Sequence, residues 1–122
     1  MKRTIETRFF HFSQNNTGGT WSGPAHHVII EAANPEEANR IAEEDVGLYF
    51  NGCASGMDCE CCGDRWSELW ESEKGDAEPL VYGTKPQELA QRDSWIREFA
   101  FIRYYDGTTE LIEAPNARGK LK

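Results

Sequence analysis

The sequence predicts an α+β domain: a small, mainly antiparallel sheet with two to three helices on one face, a cysteine-rich insert loop and a C-terminal β-hairpin. Runs of β-branched and aromatic residues alternate with one strongly signalled helix start. An Asp-Gly pair joins the last two such runs, and no internal repeat or linker divides the 122 residues. A single domain over residues 1–122 is expected, with 53–78 as the insert and 115–122 as a frayed basic tail.

Each element has a local reason. Thr4 to Ser13 reads as a first strand, although adjacent Phe9 and Phe10 leave its buried face open. Gln14-Asn15-Asn16-Thr17-Gly18-Gly19 follows as a concentrated turn signal. The apolar run of HHVIIEA over residues 26–32 predicts a strand buried on both faces. Asn34-Pro35-Glu36-Glu37 then starts a helix. Asn34 caps it, Pro35 needs no N–H there, and two glutamates meet the positive end of the dipole. Ala38, Ile41 and Ala42 form its apolar stripe, and Gly47 ends it.

Leu48 to Asn51 reads as a short strand. Asp64 is placed to cap a short helix with Trp66, Leu69 and Trp70 on one face. Pro79 to Gly83 reads as an edge strand, and Thr84-Lys85-Pro86-Gln87 starts a further helix ending near Asp93. A two-residue Asp106-Gly107 turn would join Phe99–Tyr105 to Thr108–Glu113, setting Arg103 opposite Glu110 and Ile102 opposite Leu111.

All four cysteines fall within ten residues, at Cys53, Cys59, Cys61 and Cys62. A disulfide framework would spread them, so the cluster points to reduced thiols. Cys59 and Cys62 make a C-x-x-C-G turn in which two thiolates can converge on one ion. Cys53 could supply a third ligand and a histidine, His11, His27 or preferably His26, a fourth, as in structural zinc sites. The alternative is a reduced cysteine-rich turn without metal, since the second cysteine pair of a strong zinc signature is missing. Thiol or metal catalysis is disfavoured, because Asp58, Glu60 and Asp64 oppose thiolate formation. Adjacent strand residues face opposite sides, so His26 and His27 are not expected to share a site.

The formal net charge is −8, from 13 Lys plus Arg against 21 Asp plus Glu. That argues against a protein built to grip phosphate backbones. Eight acids and two bases fall between Asp58 and Glu78, which reads either as a solvated face or as a surface for a basic partner. No apolar run approaches the ~20 residues that cross a bilayer, and the N-terminus shows no secretory pattern. No phosphate-binding loop, nucleophile elbow or H-E-x-x-H occurs.

Two strings carry a resemblance: QNNTGG at residues 14–19 and GMDCECCGDRW at residues 56–66, with the HVIIEA strand and the NPEEA helix start between them. Over roughly its first 66 residues the chain resembles a family of small uncharacterised proteins encoded by tailed bacteriophages. The resemblance implies an accessory protein in the cytoplasm of an infected bacterium, and centres the cysteine pattern on Cys59, Cys61 and Cys62. It implies no activity.

Three functions are thus expected. The first is a non-catalytic protein that binds and redirects a host factor or a host defence component. The second is a nucleotide or small-molecule sequestering protein using Asn15, Asn16, Gly18, Gly19, Asp64, Arg65 and Trp66. The least favoured is a zinc- or thiol-dependent enzyme. Homo-oligomerisation through the sheet stays open.

Overall fold

The computed structural model describes residues 6–15, 23–56, 58, 63–92 and 96–117. Four strands, β1 (Arg8–Ser13), β2 (His27–Ala32), β3 (Glu98–Arg103) and β4 (Thr109–Glu113), form one mixed sheet in sequence order. β1–β2 and β3–β4 pair antiparallel, while β2 and β3 are parallel. Parallel neighbours need a long crossover. Here it holds three helices, α1 (Pro35–Ile41), α2 (Gly52–Ser55) and α3 (Pro86–Ala90), together with the insert.

The sheet is covered on both faces, not one. Phe10, Phe12, Val28 and Ile30 pack with Ala38, Ile41, Leu48 and Trp66 in one layer. Ile29, Ala100, Ile102 and Ile112 pack with Val81 and Ala90 in the other. This accounts for the continuous apolar run of β2, a central strand with Val28, Ile29 and Ile30 all buried. Each such side chain contributes about 1.5–3 kcal/mol of burial. It also resolves the Phe9–Phe10 pair: Phe10 joins the α1 layer, and Phe9 meets Tyr104 edge-on in the other.

The α1 start forms as its sequence dictates. Asn34 Oδ1 accepts from the Glu37 N–H at 2.8 Å, and Glu37 Oε1 accepts from the Ala33 N–H at 2.8 Å. The last turn, Ala42–Val46, is π-helical and ends at Gly47.

Several expected elements differ. Leu48 to Asn51 is not a strand, because α2 begins at Gly52. No helix starts at Asp64, whose carboxylate instead accepts from the Cys53 N–H in the first turn of α2 at 2.9 Å. Residues 63–70 instead run as irregular chain. Pro79–Gly83 makes only a Val81–Thr84 bridge, closed by a two-residue turn at Tyr82-Gly83 with both φ positive, 51° and 81°.

The final hairpin is shifted by one residue, so Arg103 faces Thr109, Ile102 faces Glu110 and Phe101 faces Leu111. Its loop is Tyr105-Asp106-Gly107, because the Tyr104 N–H donates to Thr108 O at 2.8 Å. Gly107 alone takes positive φ (92°), as in a turn followed by a left-handed residue, so the two-residue geometry is not used. Arg103 consequently pairs with Asp45 at 2.7 Å. Thr4, Ile5, Asp93 and the tail from Arg118 lie outside the described residues.

Asn34→Ala removes one cap acceptor and is expected to lower stability by about 1 kcal/mol in urea unfolding. An unchanged midpoint would show that Glu37 alone secures the helix start.

Candidate functional site

The insert is built around a buried charge. The Asp58 side chain is fully buried, and Arg65 lies 3.8 Å from it. Tyr49 bridges them, donating its hydroxyl to Asp58 Oδ1 at 2.8 Å while accepting from Arg65 Nε at 3.0 Å. The Arg65 N–H donates to Asp58 Oδ2 at 2.8 Å, and Arg65 Nη1 donates to Gln14 Oε1 at 3.1 Å. Gln14 in turn donates to Ala25 O at 2.9 Å. Gly52 is required by this packing, since a Cβ there would lie 1.7 Å from an Asp58 oxygen.

The structure brings Asn15 to Arg65, as its backbone N–H donates to Arg65 O at 2.7 Å. Of the other residues expected to bind a nucleotide, Arg65 and Trp66 face the interior and Asp64 lines a cleft. The Arg65 guanidinium is engaged in the interior, and Trp66 is 1% exposed, so its ring offers no stacking face. Asn16, Gly18, Gly19, Cys59, Cys61 and Cys62 lie outside the described residues. Cys53 is half-buried on α2. His26 stacks on His27 and against Phe99, which belongs to the opposite layer. Among the described residues no group of three or more His, Cys, Asp or Glu is arranged to hold a metal ion.

Residues 64–71 and α1 instead enclose an open cleft of about 680 Å³. Asn39 of α1 holds its far wall, donating to Leu69 O at 3.1 Å and accepting from the Leu69 N–H at 2.8 Å. One side chain thus pairs a backbone residue as a neighbouring strand would. Leu69 packs against the core, and the next residue, Trp70, stands 78% exposed at the cleft lip. Phe50, Trp66 and Leu69 supply apolar lining, and Glu36, Asp64, Glu68 and Glu71 supply carboxylates. Among the described residues no Lys or Arg lines it. The sequence carried the acids and tryptophans of this cleft but held no sign of the Asn39 clamp, which depends on contact across 30 residues.

A second cluster lies on the other layer. His11 Nε2 and His27 Nδ1 are 2.8 Å apart, one donating and the other accepting as neutral imidazoles. His26 and His27 rings stack at 4.1 Å. The expectation that these two could not share a site fails because His26 precedes β2, where strand alternation does not govern its direction. Tyr82, held at positive φ, meets His11 edge-on at 4.8 Å. Burial, reinforced by the neighbouring imidazoles, pushes His11 down to about 4 and His27 to about 3, and burial also lowers His26.

Fold and site together define a small α+β protein with a charged, tryptophan-edged cleft on one layer and a histidine cluster on the other. Residues 7–120 match the family model described as Domain of unknown function (DUF7296), and the chain belongs to that family. No curated protein and no solved structure matches it.

Both clusters make measurable demands on stability. Asp58→Ala strands Arg65 in the interior and is expected to cost about 3–5 kcal/mol in urea unfolding. By comparison, Glu78→Ala on the exposed chain should stay within about 0.5 kcal/mol. The histidines act through pH. Their folded-state values are depressed, so the unfolded chain binds more protons below 6.5, and stability present above that value drains away as pH falls towards 4 and then 3. The slope should approach about 1.4 kcal/mol per pH unit for each imidazole held neutral. Urea titrations across that range should show it, and His27→Gln should flatten it.

Proposed function

We propose that this chain is a bacteriophage accessory protein that acts by binding, modulating a basic host protein in the cytoplasm of the infected bacterium. A host defence component is one such target. The observation that carries this reading is the exposed acidic segment with Trp70 raised at its edge. Glu68, Glu71, Glu73 and Glu78 are exposed, whereas Asp58 is neutralised internally by Arg65. The acids therefore play two different parts, since one builds the segment and the others give it a field. Such a field speeds and orients encounter with a basic partner and weakens with salt. Trp is enriched among the residues that dominate interface energies, and an exposed one on a pinned backbone loses little freedom on binding.

A nucleotide-sequestering role draws less support, because Arg65 and Trp66 are both interior. The four insert thiols, Cys53, Cys59, Cys61 and Cys62, are proposed as structural ligands for zinc, a role in which the metal would hold the loop and leave recognition to the neighbouring surface.

The test is capture of host proteins on immobilised full-length chain, with zinc measured in the same preparation. Replacing Glu68, Glu71, Glu73 and Glu78 by Lys is expected to abolish capture of a basic protein without unfolding the chain. Capture that survives this reversal would overturn the acidic-surface reading, and metal-free folded protein would overturn the zinc assignment.

A further inference from the structure

The cleft has a direction as well as a charge. A smaller hollow of about 490 Å³ adjoins it along α1, sharing Glu36, Asn39 and Glu68 and continuing to Glu43 and Glu44. Glu36 to Glu44 spans about 12 Å of helix rise, the length of roughly four residues of extended chain. Arg40 is the basic residue of this track, and it is already paired with Glu37 at 3.6 Å and Glu44 at 3.4 Å. Among the described residues, Glu36, Glu68 and Glu71 form no ion pair.

The apolar and aromatic groups are set at one end of the track. Phe50 and Leu69 are half-buried within the cleft, and Trp70 projects beyond them. A carboxylate row ending at a free indole fits a planar cation. A guanidinium can donate bidentate hydrogen bonds to a carboxylate along one edge and stack on the indole face, whereas an ammonium does neither as well. Phosphate-bearing ligands are repelled by the same row.

We propose that the cleft seats a short, extended, arginine-bearing segment of the partner protein, with one guanidinium stacked on Trp70 and others facing Glu36 and Glu68. The assignment rests on the basic-partner reading above and gives it a location and a side-chain chemistry. Asn39 is a positioning residue in this scheme, since it fixes Leu69 and thereby the outward course of Trp70.

The experiment uses the full chain and three fluorescent octapeptides, in which leucine alternates with arginine, lysine or glutamate. The arginine peptide should bind most tightly and weaken at least about tenfold between low and high salt. Trp70→Ala and the pair Glu36→Gln with Glu68→Gln should each weaken it at least about tenfold, while Glu88→Gln on α3 changes nothing. Trp70 is exposed, so its variant should fold normally, which circular dichroism verifies. Arginine binding unaffected by these cleft substitutions would overturn the assignment. Equal binding of arginine and lysine peptides would overturn the stacking role of Trp70. If the host protein is captured through the acidic segment but the arginine peptide cannot displace it, the cleft assignment fails while the broader reading stands. Spermine binding as tightly as the arginine peptide would reduce the cleft to a general polycation attractor and overturn the peptide assignment.

Discussion

Asp58 is a carboxylate that has left water, and the shape of the insert depends on how that charge is compensated. An isolated ion at such a position costs several kcal/mol, so its burial requires partners at fixed distances. Tyr49, the Arg65 N–H and the Arg65 guanidinium supply them. Those partners come from separate stretches of chain, and Gln14 after the end of β1 adds another through Arg65. The geometry leaves no volume for a side chain at residue 52. One buried charge therefore dictates a glycine, the entry to α2 and the path of the chain on both sides of the cysteines.

The consequences run outward to the surface. Arg65 held inside places Trp66 in the α1 layer, and Trp66 anchors the irregular stretch that follows. Asn39 then gives Leu69 the backbone partners that no strand provides, satisfying groups that would otherwise be half-buried and unpaired. Trp70, the next side chain, emerges into solvent at the cleft that Glu68 and Glu71 also line. Interior electrostatics and the proposed recognition surface are thus two ends of one short segment. The parallel β2–β3 pair matters here too, because its long crossover makes room for the insert without breaking the sheet.

Local signals were legible where the physics is local. The Asn34 cap, the buried β2 strand and the existence of the last hairpin follow from spacings of a few residues, and each formed. The reading failed where two local solutions were close in energy. Asp106-Gly107 suits a two-residue turn, yet one left-handed glycine after a three-residue loop closes the same strands. The positive-φ pair went to Tyr82-Gly83, where propensity favours the glycine but not the tyrosine, and contact with His11 accompanies it. Trp66, Leu69 and Trp70 had helical spacing, but Arg65 is drawn inward by Asp58 and Leu69 is claimed by Asn39, so the helix does not form. Arg65 and Trp66 looked like ligand residues because chemistry alone does not reveal burial.

The two layers also divide the protein's response to its surroundings. Salt acts on the exposed carboxylates of the cleft, while the Asp58–Arg65 pair, shielded from solvent, is screened far less. Acid weakens the fold through the other layer, where three imidazoles are packed without room for charge, because the unfolded chain takes up protons below pH 6.5 that the folded histidines refuse. Protonating one places a cation against two neighbours and against the aromatic rings of Tyr82 and Phe99. The Tyr82 ring stands perpendicular to that of His11, and Phe99 lies against His27. The fold accordingly separates a surface whose charge is available to a partner from an interior whose neutrality it must preserve.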